Sequence, residues 1–383
     1  MFWKKKKKIK VFYICQYIQG WNKIADVINS MIDDDEIDIH ILAFPMEINK
    51  FPENEEFLFW KNKFGDYVIN AVSNNEWFDL KKENPDYVFV QRPYDIYLPE
   101  KYSCKELAKY TKLCYIPYGF ILAKLQKVTL QKEFLENLYM FFADNHYEYE
   151  YAKDIIESFN DNNKRLCFDL GYPILDAIKE KQQNYSAFKQ IKKRNLNIIW
   201  TPRWTTDEEY CGTTFFENKD KIVEYGKRND CLIVFRPHPL AFDNFISKGL
   251  MTKKEVTNYL KNYQNSNMIY DKSGDYYDTF KDSDVLITDF SSIVVEYLLF
   301  NKPIILCGGD IKNKYNHIMK KISSVCYNVK NWNEIESILI KLNNGNDTKR
   351  KKRTNLIKEL FGNYDGMVSK RIVNCIKNDY YKR

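Results

Sequence analysis

Short apolar runs alternate with amphipathic stretches along most of this 383-residue chain. Residues 9–15 form an apolar run that predicts a buried strand, and residues 21–31 follow with the spacing of an amphipathic helix. Further runs that predict strands lie at residues 37–43, 87–90, 113–116, 140–143, 196–200, 232–235, 268–270, 285–287 and 303–306. Short buried strands separated by helices are typical of a mostly parallel sheet with helices on both faces. The pattern therefore predicts an α/β fold.

A highly charged stretch at residues 179–194 interrupts this pattern before it starts again. We therefore predict one Rossmann-like domain over residues 1–190 and a second over residues 191–355, followed by a C-terminal helical segment, residues 356–383. The chain is long enough, and at 44% hydrophobic residues apolar enough, to bury two cores. Two such domains facing a cleft resemble the GT-B architecture.

The composition narrows the class of protein. The nine cysteines form no CxxC pair and the four histidines no HxxxH pair, so the sequence predicts neither a disulfide framework nor a metal site. A reducing cytoplasm fits this cysteine usage, and no cofactor is expected. The net charge of +7 favours acidic partners such as nucleotides and does not indicate nucleic-acid binding.

The N-terminus raises the question of membrane contact. No run of 18 apolar residues is present, so no membrane span is predicted. Lys4 to Lys8 follow Phe2 and Trp3, and this cluster could touch an anionic membrane surface or form a solvated basic tail. We predict a cytoplasmic protein that could associate peripherally with the inner face of the cell membrane.

The segment with the most chemical information begins where a predicted strand ends at Thr288 and Asp289. Ser291 and Ser292 lie in the turn that follows, and a helix is predicted after them. Hydroxyls and unpaired backbone N–H groups at a helix N-terminus favour an anion such as a diphosphate. Glu296, about one turn into that helix, could accept hydrogen bonds from ribose hydroxyls or be an ordinary helical carboxylate. The turn therefore predicts a donor site at the carboxyl end of a parallel sheet.

Two further strand ends carry candidate residues. Arg236 and His238 lie in an Arg-Pro-His-Pro loop, which the two prolines keep from forming a regular helix. Arginine offers a planar donor fork for phosphate, whereas histidine can donate to phosphate, shuttle a proton or simply bond the loop backbone. Thr201 and Arg203 follow another predicted strand and could meet phosphate or form an ordinary turn.

Together these motifs resemble the CDP-glycerol glycerophosphotransferase family, the teichoic-acid-type polyol-phosphate transferases. The resemblance is good from about residue 165 onward and faint before it. The segments that carry it are Gly171-Tyr172-Pro173-Ile174-Leu175-Asp176, Thr201-Pro202-Arg203-Trp204, Arg236-Pro237-His238-Pro239, Asp284-Val285-Leu286-Ile287-Thr288-Asp289-Phe290-Ser291-Ser292, and Asp365-Gly366 with Ser369 and Arg371.

The resemblance implies a GT-B fold and a transferase reaction, with residues 1–190 as the acceptor domain and residues 191–355 as the nucleotide-donor domain. A polyol phosphate, glycerol phosphate or a relative, would move from a CDP-activated donor such as CDP-glycerol to a hydroxyl of a surface-polysaccharide or teichoic-acid-like acceptor, polymeric or lipid-linked, with release of CMP. On this resemblance His238 and Arg236 are catalytic and stabilise charge on the donor diphosphate. Ser291 and Ser292 would bind the phosphates while Asp289 orients the turn, and no protein-bound metal is expected.

One motif of the family is missing from the first domain. Its members commonly carry Trp-His-Gly, in which the His is a candidate general base, whereas the best matching position here reads Ile116-Pro117-Tyr118-Gly119. Tyr118 and Gly119 are therefore acceptor-side candidates, although a tyrosine with an ordinary pKa near ~10 is a poor base at neutral pH. His146, which follows another predicted strand, could take the role of the missing His or be structural.

Two other functions stay open at this point. A GT-B glycosyltransferase that uses a nucleotide-sugar donor in capsule or cell-surface polysaccharide synthesis would need the same diphosphate site. A non-catalytic nucleotide-binding assembly subunit would fit the missing Trp-His-Gly. A donor screen distinguishes the first alternative, and CMP release that disappears in His238→Ala would argue against the second.

Overall fold

The structure is a computed structural model in which two compact units can be described. The described residues are 7–48, 55–123, 130–184, 195–207, 212–228, 230–265, 267–272, 276–308, 313–362 and 365–382. The first unit comprises residues 1–120, 127–180 and 361–383, and the second comprises residues 121–126 and 181–360. Of the predicted N-terminal basic cluster, residues 2–6 lie outside the described residues. Among the helices that the structure describes, none is both long and apolar enough to cross a membrane.

Strands and helices alternate along the described chain. The strands are β1 Ile9–Cys15, β2 Ile37–Ala43, β3 Val68–Asn70, β4 Val72–Ser73, β5 Glu76–Trp77, β6 Tyr87–Val90, β7 Lys112–Tyr115, β8 Met140–Ala143, β9 Leu166–Asp169, β10 Leu196–Thr201, β11 Cys231–Phe235, β12 Gln264–Asn265, β13 Met268–Tyr270, β14 Val285–Thr288, β15 Ile304–Leu306 and β16 Tyr327–Asn328. The α-helices are α1 Ala25–Ile32, α2 Glu55–Phe64, α3 Cys104–Leu107, α4 Lys132–Leu135, α5 His146–Glu157, α6 Ile174–Asn184, α7 Phe215–Arg228, α8 Ala241–Ser247, α9 Lys253–Leu260, α10 Tyr277–Asp282, α11 Ile293–Leu298, α12 His317–Val325, α13 Trp332–Asn343, α14 Arg350–Phe361 and α15 Val368–Tyr381.

The first unit is built on a seven-stranded parallel sheet in the order β3-β2-β1-β6-β7-β8-β9. The interior strand β1 is buried throughout except at Lys10, which is half-buried, because helices and loops cover both faces. The rings of Tyr13 and Phe89 stack across β1 and β6 with centroids 5.2 Å apart. The sheet therefore holds the loops at its carboxyl edge on a rigid, densely packed base.

The C-terminal helix α15 completes the core of the first unit. Val368, Ile372, Val373 and Ile376 are all buried in that core, because their spacing places them on one face of the helix. Residues 356–383 were predicted to be a separate segment. In the structure, α15 packs against the N-terminal sheet. The role of each predicted domain stays a prediction.

Two of the family-like segments form the joint that holds α15 in place. The buried Asp176 carboxylate accepts hydrogen bonds from the backbone N–H groups of Val368, at 3.1 Å, and Ser369, at 2.7 Å, which lie in the first turn of α15. Arg371 Nη1 donates to both carboxylate oxygens of Asp365, at 2.9 Å to Oδ1 and 2.8 Å to Oδ2. Unpaired N–H groups at a helix start need acceptors, so these residues serve the fold.

The second unit repeats the architecture with the strand order β12-β13-β11-β10-β14-β15-β16. Along this order from β13 to β16, each strand is parallel to its neighbour. The edge strand β12 is antiparallel to β13. Trp200, Phe215 and Phe235 pack at its centre, with Trp200 ring centroids 5.7 Å from Phe215 and 4.9 Å from Phe235. These large rings fill the space between β10, β11 and α7.

The predicted α/β class with two Rossmann-like sheets is confirmed. Each predicted strand is present, with small differences at the ends, whereas β3, β4, β5, β9, β12 and β16 were not predicted. Strand β9 shows the reason, because it lies at a sheet edge and its residues are only partly buried or exposed. An edge strand lacks the continuous apolar run that marks a strand buried on both faces.

Candidate functional site

The predicted donor residues lie at one edge of the second sheet. Strand β10 is paired in parallel with β11 on one side and β14 on the other. The segments that follow these strands, residues 201–203, 236–238 and 289–292, therefore emerge at the same edge. The chain order of the strands reverses between β10 and β14, and such a reversal opens a ligand crevice beyond the strand ends.

Asp289 organises this edge from within. Its side chain is 1% exposed, and Oδ2 accepts hydrogen bonds from the backbone N–H groups of Arg203, at 2.8 Å, and Thr214, at 3.1 Å. Oδ1 accepts a third from the Thr214 hydroxyl at 2.6 Å. Burial raises the pKa of Asp289 and these hydrogen bonds oppose the rise. The carboxylate is thus committed to the protein, and it positions the two loops rather than touching a ligand.

The Arg203 side chain connects two of these loops by hydrogen bonds. Its Nε donates to the Thr205 hydroxyl at 2.6 Å, and its Nη1 donates to the backbone carbonyl of Phe290 at 2.7 Å. The guanidinium carbon also lies 5.4 Å from the centre of the Phe290 ring. A positive charge is therefore held in a fixed position beside the predicted phosphate turn.

The His238 ring is held as a neutral hydrogen-bond donor. Its Nδ1 accepts a hydrogen bond from the backbone N–H of Leu240 at 3.1 Å, so the proton of the neutral ring lies on Nε2. Burial lowers the pKa of His238 to about 4, and the charge of Arg203 contributes to the shift. Trp204 stacks on the ring at a centroid distance of 5.5 Å. At neutral pH the site therefore offers an uncharged N–H group.

Arg236 is already paired within the protein. Its Nη1 lies 2.6 Å from Asp271 Oδ2, and both side chains are largely buried, at 15% and 11% exposed. The ring of Tyr276 lies 5.0 Å from its guanidinium carbon. Such a pair fixes the plane of the guanidinium at the sheet edge.

Glu296 is buried rather than on a helix surface. Its side chain is 5% exposed, and Oε2 accepts hydrogen bonds from the hydroxyls of Tyr276, at 2.6 Å, and Tyr277, at 3.2 Å. Because Tyr276 also contacts Arg236, this carboxylate is connected to the Arg-Pro-His-Pro loop through one ring. Binding of ribose hydroxyls by Glu296 stays a prediction.

The remaining donor-side residues differ in accessibility. Ser292 is exposed and Ser291 half-buried, just before the six-residue helix α11. The Ser291 hydroxyl accepts a long hydrogen bond from the backbone N–H of Ile293 at 3.4 Å. Thr201 is buried, and within the described residues its hydroxyl has no hydrogen-bond partner. Ser292 is thus the most accessible hydroxyl of the predicted turn.

The acceptor-side candidates lie in the first unit. The Tyr118 hydroxyl is 3.2 Å from that of Tyr94, and burial together with this hydrogen bond raises the pKa of Tyr118 far above neutral pH. Tyr118 is therefore a protonated phenol that can donate a hydrogen bond and cannot serve as a base. A Cβ atom built on Gly119 would meet no atom within 4 Å, so the space beside this residue is open.

His146 forms a pair with a carboxylate that sequence analysis missed. Its Nδ1 lies 2.8 Å from Asp169 Oδ2, and the imidazole is 60% exposed. His146 begins α5 after β8, and Asp169 ends the adjacent strand β9, so the pair lies at the carboxyl edge of the first sheet. An imidazole that donates its Nδ1–H to a carboxylate presents the Nε2 lone pair outward, as a general base does.

Besides Asp169, the supporting residues Asp271 and Thr214 were not predicted from the sequence. Asp271 follows the predicted strand at residues 268–270, and this position at the same sheet edge was a usable signal. Thr214 lies in a loop without any strand pattern, and Asp169 ends the strand that was not predicted. Within the described residues, no group of three or more His, Cys, Asp or Glu side chains is placed to hold a metal ion.

Comparison with known proteins identifies the family. A sequence model described as CDP-Glycerol:Poly(glycerophosphate) glycerophosphotransferase matches residues 124–378, which include the whole donor-side edge. The chain belongs to this family. The recognition made from Arg236-Pro237-His238 and residues 288–292 is therefore confirmed.

Two curated relatives of this glycerophosphotransferase-family chain are teichoic acid proteins. The teichoic acid poly(glycerol phosphate) polymerase of Bacillus spizizenii is 25% identical over 159 residues, which are 39% of this chain and 36% of that protein. The minor teichoic acid biosynthesis protein GgaB of Bacillus subtilis is 21% identical over 216 residues, 49% of this chain and 22% of that protein. The matches thus cover well under two thirds of either relative.

Solved structures support the fold of this family member. The wall teichoic acid polymerase TagF has a TM-score of 0.64 at 14% identity, over 98% of this chain and 90% of that chain. The UDP-GlcNAc 2-epimerase of Methanocaldococcus jannaschii has a TM-score of 0.57 at 17% identity, over 96% and 99% of the two chains. At such identities the likeness establishes the fold alone, and it confirms the GT-B-like class.

Proposed function

We propose that this member of the glycerophosphotransferase family transfers glycerol phosphate, or a related polyol phosphate, from a CDP-activated donor to an acceptor hydroxyl and releases CMP. One observation carries the proposal: in a chain of this family, His238 lies at the carboxyl edge of the second sheet as a neutral donor beside Arg203. A teichoic-acid-like acceptor is proposed because the relatives are a teichoic acid polymerase and a teichoic acid biosynthesis protein.

The second unit supplies the donor half of the reaction. The fixed charges of Arg203 and Arg236 attract a diphosphate, and the Ser292 hydroxyl is exposed to bind a phosphate oxygen. Asp289 acts as a positioning residue that keeps the loops carrying Arg203 and the turn together. Because these groups are already held in place, they can orient the donor without rearranging during the reaction.

The chemistry exchanges one phosphorus–oxygen bond for another. The acceptor oxygen bonds to the phosphorus of the polyol phosphate, the bond from that phosphorus to the bridging oxygen breaks, and the bridging oxygen leaves with CMP. Negative charge grows on that leaving group in the transition state. An N–H donor held ready at His238 Nε2 stabilises this charge, as phosphoryl transfer requires.

The acceptor hydroxyl must lose its proton to a base, and His146 is the residue we propose. Its pairing with Asp169 leaves Nε2 outward on an exposed ring, in a unit where Tyr118 stays protonated. The His146–Asp169 pair would then take the role of the His in the missing Trp-His-Gly.

Replacing His146 with glutamine, which cannot accept a proton, tests its role as the base. His146→Gln is expected to lower kcat by about 100-fold, because positioned general bases contribute on the order of 10²–10⁴-fold. Asp169→Asn is expected to have a smaller effect in the same direction, since it keeps the imidazole and removes the carboxylate that orients it. The matched control is His40→Gln, which breaks the His40–Asp38 pair of strand β2, 3.2 Å apart. Unchanged turnover in His146→Gln would remove His146 from the acceptor side.

A donor screen on the purified full chain tests the function itself. We expect CMP release and acceptor extension with CDP-glycerol, and none with UDP-sugars. Transfer from a UDP-sugar with no reaction of CDP-polyols would sink the proposal in favour of a nucleotide-sugar glycosyltransferase. An inactive chain that binds CDP-glycerol without releasing CMP would favour the assembly subunit.

Three further expectations belong to the same proposal. The reaction is proposed to proceed without a cofactor or protein-bound metal, so added EDTA should leave the rate unchanged.

The acceptor is proposed to be a polymer or lipid-linked, and the protein to act in the cytoplasm at the inner face of the membrane. Co-sedimentation with anionic lipid vesicles, compared with neutral vesicles, measures that association.

A further inference from the structure

The strand order of the first sheet predicts a second ligand crevice at its carboxyl edge. The chain order of the strands reverses between β1 and β6, as it does between β10 and β14 in the second unit. Ligands of open α/β sheets bind beyond the strand ends at such a reversal. Here the residues that follow β1 and β6 are Gln16 with Tyr17, and Gln91 with Arg92.

Two buried glutamines make this crevice rigid. Gln91 Oε1 accepts hydrogen bonds from the backbone N–H groups of Gln16, at 2.8 Å, and Tyr17, at 2.7 Å, while its Nε2 donates to the Tyr17 carbonyl at 2.8 Å. Gln16 Nε2 donates to the carbonyls of Pro45, at 2.7 Å, and Tyr97, at 2.8 Å. A buried hydrogen-bond network of this kind fixes the loops around it.

Arg92 lies in this crevice without a carboxylate partner among the described residues. Its Nη2 donates to Gln16 Oε1 at 3.2 Å, and the rings of Tyr97 and Tyr17 lie 4.1 and 5.7 Å from its guanidinium carbon. Within the described part of the chain, its buried Nε has no hydrogen-bond partner. A buried N–H group that is left without an acceptor is unfavourable, so an arginine placed like this fits a ligand oxygen.

Other arginines of the chain show how unusual this environment is. Arg165, Arg236, Arg353 and Arg371 each form an ion pair with an aspartate. Among the described residues, the charge of Arg92 faces an amide oxygen and phenol rings, which attract a cation far less than a carboxylate does.

Phenol hydroxyls complete the crevice. The hydroxyls of Tyr94 and Tyr118 lie 3.2 Å apart, and the Tyr94 ring centre is 6.0 Å from the Arg92 guanidinium carbon. The pKa of Tyr118 is raised, so its hydroxyl keeps its proton and can donate it in a hydrogen bond. Within this pair one hydroxyl donates to the other, which leaves one O–H group to donate to a ligand. A guanidinium beside one phenol donor matches the charge and the acceptor oxygens of a phosphate ester.

We propose that Arg92, with the hydroxyls of Tyr94 and Tyr118, binds a phosphate group of the acceptor. The inference rests on the proposed function, in which the acceptor is a polyol-phosphate chain, and it gives the position occupied by Tyr118 in place of the family's His a role in recognition. It also predicts selectivity, because an acceptor without phosphate would leave the Arg92 charge unneutralised in a partly desolvated site.

The experiment titrates sn-glycerol 3-phosphate into the full chain with saturating CDP, which occupies the donor site. We expect saturable binding that glycerol does not compete with. Arg92→Met, which keeps the length of the side chain and removes its charge, is expected to weaken binding by about 10- to 100-fold. Arg92→Lys is expected to retain an intermediate affinity because it keeps the charge and loses the fork.

Arg165→Met is the matched control, since it also removes one arginine charge from the first unit and lies next to the start of β9. Its glycerol 3-phosphate affinity should equal that of the unsubstituted chain. Thermal unfolding of each variant reports whether the fold is intact, and the Lys variant keeps the test valid if the Met variant unfolds. Equal affinity in Arg92→Met and the unsubstituted chain, or no binding to the latter, overturns the proposal.

The two proposals fail in different ways. If glycerol 3-phosphate binding depends on Arg92 while CDP-glycerol supports no CMP release, the phosphate crevice stands and the proposed transferase reaction falls. If CMP release occurs and the acceptor KM is unchanged in Arg92→Met, the reaction stands and this crevice is not where the acceptor binds.

Discussion

His238→Ala is expected to lower kcat for CMP release by about 100- to 1,000-fold, the usual loss on removal of one transition-state hydrogen-bond donor. His238→Gln is expected to retain much more activity, because its amide can place a neutral N–H group near the position of Nε2. A proton-shuttling histidine would lose activity equally in both variants, since neither side chain titrates. The ratio between the two variants therefore separates donation from proton transfer.

The pH profile gives an independent check on the charge of His238. Its pKa is lowered to about 4 from an ordinary value of 6.5, so the ring is neutral at neutral pH and below it down to that value. The contribution of His238 to kcat should therefore be constant from about pH 8 to about pH 5. It should fall as the pH approaches 4, because a protonated Nδ1 can no longer accept from Leu240. Activity that rises as pH falls through 6.5 would show a cationic mechanism instead.

Stability should follow the same titration. Because the folded pKa of His238 lies below the unfolded value, the unfolded chain binds more protons between about pH 6.5 and 4, and lower pH favours unfolding. The stability contribution is complete above the unfolded pKa and is lost as the pH falls through this window. His238→Gln should remove this part of the pH dependence of stability. In the activity measurements on the His238 variants, His317→Gln, at an exposed position in the same unit, is the control.

The donor half of the site could be predicted from the sequence because its residues follow strands that are buried on both faces. Continuous apolar runs mark such strands, and parallel strands release their following loops at one edge. Thr201, Arg236 and Asp289 were therefore found without knowledge of any contact between them. Their roles could not be predicted in the same way, because Asp289 is bound by Thr214, 75 positions away in the sequence.

The acceptor half was harder to predict for a different physical reason. His146 was recognised as a candidate, yet its partner Asp169 ends an edge strand with no apolar run. Arg92 follows a predicted strand and still gave no signal, since an unpaired charge is a property of its surroundings rather than of its local sequence. The sequence predicts that Tyr118 is a poor base from its ordinary pKa, and burial raises that pKa further from neutrality.

The second large effect is expected for Asp289, where stability and activity change together. Asp289→Ala leaves the backbone N–H groups of Arg203 and Thr214 and the Thr214 hydroxyl without their acceptor in a buried position. Each such loss costs about 1–3 kcal/mol, so we expect the free energy of unfolding of the second unit to fall by about 3 kcal/mol or more. Arg203 should shift with its loop, and kcat should fall even in molecules that remain folded.

Asp289→Asn separates the hydrogen bonds from the charge. An amide oxygen can accept from both backbone N–H groups, and its NH₂ can donate to the Thr214 hydroxyl, so all three contacts can survive. Because burial raises the pKa of Asp289, its ionised form costs stability as the pH rises through that pKa. The difference in unfolding free energy between the two proteins should therefore shift in favour of Asn with rising pH. Urea denaturation measures it, with the exposed Asp243→Ala as the control. If Asp289→Ala unfolds at the same urea concentration as the control, the carboxylate does not hold these loops together.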